Sequence, residues 1–93
     1  MADLDLLFRE AERRANAREQ LAASRPRPLR IPSRHGWLLF IHPDLNNAGG
    51  WRVTRFEQDE PVGHIECGDF AGAVREACAF GGQLELVEEV TRG

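Results

Sequence analysis

Three histidines, two cysteines, fifteen acids and two glycine pairs are the residues of this 93-residue chain whose types could do chemistry. The nearest approach to a metal-ligand set is His64 with Cys67, with His35 and His42 as further donors. A three-residue offset on a strand sends two side chains to opposite faces, and the chain has neither a Cys-x-x-Cys nor a His-x-x-x-His pair. No metal and no cofactor is expected. His64 is read instead as a half-exposed strand residue, with Glu66 beside it on the same face. A cysteine nucleophile needs a thiolate and a nearby base. Cys67 near His64 is the better candidate, since Cys78 falls within a helix beside an apolar stripe. The serines are Ser24 and Ser33, both in or beside a proline-rich segment. No two acids are set across an evident pocket for acid–base work. Gly49-Gly50 and Gly81-Gly82 lack the spacing of a phosphate loop, and the second pair follows a helix instead of opening one. No catalytic residue is nominated, and the chain reads as a non-enzyme.

The elements that position these residues are clearest from Pro61 to Val90. Val62 to Cys67 reads as a strand. Asp69 is an N-cap, its carboxylate suited to the unpaired amides of a first helical turn. Phe70, Ala73, Val74 and Ala77 then form one stripe of a 3.6-residue period, with Arg75 and Glu76 on the other side. Gly81-Gly82 supplies a left-handed stop. Leu84 and Leu86 alternate with Gln83 and Glu85, which predicts a final strand. Strand, helix and strand suggest a crossover unit, right-handed if the strands are parallel.

Upstream, residues 3–24 predict one helix, with Asp3 and Asp5 at the positive end of its dipole. Its stripe is strong at Leu4, Leu7 and Phe8 and then turns to alanine. The first turns are expected either to pack on the domain or to serve as a docking or dimerisation arm. Residues 25–35, with Pro26, Pro28 and Pro32, predict an extended arginine-bearing strap. Trp37 to His42 and Trp51 to Phe56 predict two strands joined by the turn-rich loop Pro43–Gly50, as an antiparallel hairpin. The expected class is α+β: an N-terminal helix (1–24), the strap (25–35), and a compact β-β-β-α-β domain (36–93) with a small mixed sheet and one helix on one face. That helix should cover Trp37, Leu39, Ile41, Trp51, Val53, Ile65, Leu84 and Leu86. The other face should present Leu38, Phe40, Phe56 and Val87, too apolar to leave in water without a reason.

A net charge of −3 hides an uneven layout. Arg25, Arg27, Arg30 and Arg34 make the strap +4, whereas residues 56–93 hold nine acids against Arg75 and Arg92. No run of about 20 apolar residues could cross a bilayer, and the acidic amphipathic start is not a secretory signal. The expected setting is the cytoplasm, with Cys67 and Cys78 reduced.

In the order helix, three strands, helix, and in WRVTRF, the Gly63-His64 turn and the helix after it, the chain resembles the outline of a double-stranded-RNA-binding domain. It departs from that family where the last helix should begin with basic residues: DFAGAVREA has Arg75 alone, so the function is not carried over. In size, acidity and α/β make-up the chain is also similar to the small inhibitors that phages and plasmids use against host defence, anti-CRISPR proteins among them. That likeness implies a protein partner.

Three functional readings follow. The first is a non-enzymatic interaction module whose acids (Glu57, Asp59, Glu60 at one turn; Glu85, Glu88, Glu89 at the last strand) meet a basic protein surface meant for nucleic acid. The second is a nucleic-acid-associated regulator using Arg25, Arg27, Arg30 and Arg34. The third is a dimerising module joined through the N-terminal helix or the uncovered sheet face.

Overall fold

Two helices lie in successive layers against one side of a five-stranded antiparallel sheet. The computed structural model describes the backbone of residues 2–90 and the side chains from Leu4 to Val90; the side chain of Asp3 and all of Arg92 lie outside these bounds. Helix α1 spans Ala2–Ala22; strands β1 Leu29–Pro32, β2 Leu38–Pro43, β3 Trp51–Glu57 and β4 Glu60–Cys67 follow; then come helix α2 Phe70–Ala79, a 3₁₀ turn at Leu84–Leu86, and strand β5 Glu88–Glu89. The strand order is β4-β3-β2-β1-β5, and every ladder is antiparallel. The α+β class and the helix on one sheet face are as expected.

Period-two alternation explains which side is core. Leu29 and Ile31 of β1, Leu39 and Ile41 of β2 and Val53 of β3 all point to one face and are buried. Against them α2 places Phe70, Ala73, Val74 and Ala77, the stripe its spacing predicts. Asp69 caps α2 as expected, its Oδ1 accepting from the Gly72 amide at 2.7 Å. Gly81 has a φ of +82°, the left-handed position that ends the helix. Trp51 meets Phe70 edge-on, ring centroids 5.1 Å apart.

Three expectations need correction. The strap does not stand apart as a linker: Leu29–Pro32 is strand β1, seated between β2 and β5. Leu29 and Ile31 supply its buried face, while Pro28 and Pro32 sit just before it and at its end, where a missing donor is tolerated. Second, the predicted strand over Leu84 and Leu86 is a 3₁₀ turn, and the last strand is the two residues after Val87. Third, the sheet is not mixed. β4 and β5 do run in the same direction, as a crossover requires, but they occupy opposite edges, and β5 pairs with β1. Val87, expected on the open face, packs against the core instead.

Helix α1 packs on α2. Its alanine-rich second half makes the contact: Ala22 is buried and Leu21 packs on the core cluster. Arg75 donates to the Glu19 carboxylate from Nε at 3.3 Å and from Nη2 at 3.0 Å. The hydrogen bond from Arg75 holds the Glu19 carboxyl below its usual range. Of the two expectations for the first turns, packing on the domain fails: Leu4, Leu7 and Phe8 stand exposed. Among the described residues, no helix is long and apolar enough to cross a membrane.

Candidate interaction surface

The face of the sheet opposite α2 carries no helix among the described residues, because α1 stacks on α2 instead. Alternation and register fix what this face presents. Its central row runs His64, Thr54, Phe40, Arg30 and Glu88 from β4 to β5. On one side of it lie Glu66, Arg52 and His42, and on the other Pro61, Phe56, Leu38 and Pro32. Leu38, Phe40 and Phe56 are half-buried by neighbours in their own sheet. Three of the four apolar residues expected on this face are therefore there, without a covering element.

The hairpin between β3 and β4 closes with Gln58 and Asp59, both at positive φ (49° and 68°). That twist suits a two-residue turn. Glu57 and Glu60 are direct cross-strand partners there, and Asp59 lies between them. Like charges facing one another across a ladder destabilise it. None of the three acids makes an ion pair among the described residues, and all are exposed. They adjoin Phe56 and Pro61 of the open face.

Glu85, Glu88 and Glu89 lie elsewhere. Glu88 and Glu89 form the opposite edge of the sheet, four strand spacings or about 19 Å from β4. Glu89 pairs with Arg27, and Glu88 sits across from Arg30. The two acidic groups thus occupy two separate margins of the sheet.

The arginines of the strap are dispersed as well. Arg27 is engaged by Glu89, Ser24 Oγ and the Arg25 carbonyl. Arg30 alone stands on the open face. Arg34 lies beyond β1 beside Gly81, lining a groove of about 1020 Å³ with Arg14 and Arg18 of α1. Arg25 is exposed before β1. Strand formation separates four residues that the sequence places together.

The chemistry-bearing residues do not converge. No group of three or more His, Cys, Asp or Glu side chains could hold a metal ion among the described residues. His35 and His42 sit at opposite ends of β2. His42 Nδ1 lies 3.1 Å from the Pro43 carbonyl and Nε2 2.7 Å from Thr54 Oγ1. The carbonyl can only accept, so Nδ1 donates to it, and Nε2 pairs with the hydroxyl, leaving neither nitrogen free. His64 Nε2 is 4.0 Å from Glu66 Oε1, the neighbour its spacing predicts. Burial pushes the Cys67 thiol up, aided by the charges of Glu76 and Asp69, and burial also pushes up that of Cys78. Both cysteines are free. A raised pKa leaves less thiolate at any given pH. In the folded protein at pH 8, both should therefore react with Ellman's reagent more slowly than a small-molecule thiol, and at the small-molecule rate in denaturant.

Two residues escaped the sequence reading. Asp44, in the β2–β3 loop, is buried, accepts from the Asn46 amide at 3.0 Å and lies 3.3 Å from Arg52 Nε. The turn-forming character of Pro43–Gly50 was the available signal. Arg55 lies on the α2 side, its guanidinium 4.4 Å above the Trp37 ring; alternation from Val53 places it there. No protein-family model matches the chain, and neither a characterised protein nor a solved structure is significantly similar to it.

Proposed function

We propose that this protein is a non-enzymatic binding module whose β3–β4 hairpin tip and adjoining open sheet face dock on a basic protein surface. The observation that carries the reading is the Glu57–Glu60 cross-strand pair with Asp59 between. A ladder end closed by facing acids costs stability that a lysine or threonine at either position would recover. Retaining that cost in an exposed turn is understandable if the acids meet cations on a partner. Phe56, Leu38 and Phe40 supply apolar contact beside the charge, the combination that gives both affinity and steering. A nucleic-acid-binding surface of a defence or nucleic-acid-processing complex is the basic target this charge fits, and blocking it would make the protein an inhibitor. The similarity in size and acidity to phage and plasmid inhibitors agrees with this. Work in the cytoplasm would keep Cys67 and Cys78 reduced.

Affinity capture from a host lysate with mass spectrometry, using the wild-type chain and Glu57→Lys side by side, tests the proposal. The wild type should retain a basic protein that the variant loses. The variant should also be more stable by about 0.2–1 kcal/mol in urea melts. If wild type and variant capture the same set, the hairpin is not the docking surface.

The second reading rests on Arg30 and Phe40, which are register partners on the open face, a cation beside an aromatic on which a base could stack. It predicts single-stranded nucleic-acid binding that falls steeply with salt and weakens in Arg30→Ala. No binding at low salt removes it.

A further inference from the structure

We propose that the groove between α1 and residues 81–87 binds a small amphiphile, an apolar chain ending in a carboxylate, of the fatty-acid class. Its volume of about 1020 Å³ stands just above the roughly 300–1,000 Å³ usual for small-ligand sites. The path of the chain fixes its two ends. Gln83 N–H donates to the Pro32 carbonyl and Val90 N–H to the Pro28 carbonyl, so the segment after α2 runs back along β1. Helix α1 leads into β1 at the Pro28 end. Leu21 and Ser24 therefore lie with Val87 at one end of the groove, and Arg14 lies with Arg34 and Gly81 at the other. The Arg34 N–H donates to the Gly81 carbonyl at 2.9 Å, which fixes its backbone there.

Charge and apolar surface separate along this groove. Arg13, Arg14, Arg18 and Arg34 line it against Glu85, a balance of +3 with His35 neutral, in a chain of net charge −3. Among the described residues Arg13, Arg14 and Arg34 form no ion pair, and Arg18 lies 3.8 Å from the Glu19 carboxylate, beyond hydrogen-bond reach. Towards the other end the wall is Leu21, Leu84 and Val87, all half-buried. Guanidinium forks give a carboxylate charge-assisted hydrogen bonds, and the apolar slot takes the chain out of water. An inorganic anion would leave the slot empty, and a neutral lipid would leave the arginines unused. Arg14 and Leu21 are seven residues apart, about 10 Å of helix, so a medium-length chain spans the slot. Since α1 lies beyond α2 from the open sheet face, this proposal and the hairpin reading fail separately.

Decanoate and octanoate, kept below their micellar concentrations, are the probes for an amide NMR titration of the full chain. Decanoate should bind one to one with a Kd below about 1 mM, shifting the amides of Leu21, Gly81, Gly82 and Leu84. Octanoate should bind severalfold more weakly, about 15-fold being the limit for two fully buried methylenes. Acetate, the charge without the chain, and octanol, the chain without the charge, should give no saturating shift over the same range. Arg14→Ala or Arg34→Ala should weaken decanoate roughly tenfold; both residues are exposed, so the fold tolerates the change. Ala17→Glu, at an exposed lining position, tethers a carboxylate in the groove and should abolish decanoate binding with circular dichroism unchanged. No binding at about 1 mM, octanol that binds as tightly as octanoate, affinity independent of chain length, shifts centred on the open sheet face, or an Ala17→Glu variant that binds as the wild type does would overturn the proposal.

Discussion

Replacing Ile31 by alanine is expected to remove about 2–5 kcal/mol of stability, against less than about 0.5 kcal/mol for Arg30→Ala one residue away. Ile31 is fully buried in β1, where its register partner is Leu39. Its Cγ2 lies so near Gly82 that a Cβ added there would meet it at 3.1 Å. Little room exists for the site to collapse, so a cavity and its cost persist. For a domain whose whole stability is about 5–15 kcal/mol, such a loss is a large share. Urea unfolding at constant m-value reads the difference directly. If β1 were a solvated spacer, the two variants would behave alike, and equal midpoints would refute the strand.

Phe70→Ala should cost about 3–5 kcal/mol, with Phe70→Leu below about 1.5. Phe70 opens α2, is buried, and forms the edge-on contact that half-covers Trp51. Truncation removes ring volume and uncovers Trp51 together. The near-ultraviolet dichroism of the folded variant should weaken and its Trp51 emission move to the red, while Asp69 still caps the helix. Trp37 is held by Arg55 and His35 instead and should report no change. An unaltered spectrum with a small stability loss would show that the Trp51–Phe70 contact does not organise this end of the core.

These two sites also mark what could be read from sequence and what could not. α2 was legible in full, because Asp69, the Phe70–Ala77 stripe and Gly81 are local signals that agree with one another. β1 was hidden by its prolines: only Leu29 and Ile31 alternate there, and their β2 partners, Ile41 and Leu39, lie twelve and eight residues away. β5 has no local signature, being two glutamates placed by bonds on either side, Gln83 N–H to the Pro32 carbonyl and Val90 N–H to the Pro28 carbonyl. The uncovered sheet face was foreseen, but which half of α1 would pack was not. Helix propensity and stripe strength favour Leu4 to Phe8, whereas the limited length of α2 and the close approach that alanine permits select the other half. Of the charge clusters, only Glu57, Asp59 and Glu60 stay together, because a hairpin keeps neighbours in sequence adjacent in space. Glu85, Glu88 and Glu89, like the strap arginines, are divided by pairing that no local spacing announces.

The ends of the strand order have a consequence for how the protein behaves when concentrated. Open sheets polymerise through their outermost strands, whose free amides and carbonyls template another chain. Here β4 carries Glu60, Pro61, Glu66 and a register shift opposite Arg55 and Phe56, and β5 is two glutamates long. Proline withholds a donor, the shift bends the ladder, and glutamates repel their own kind along an incoming strand. The outer side of β1 beyond β5 is closed by Gly82 and Gln83. Fibrillation through either edge is therefore disfavoured, and concentrated protein should stay free of cross-strand polymer.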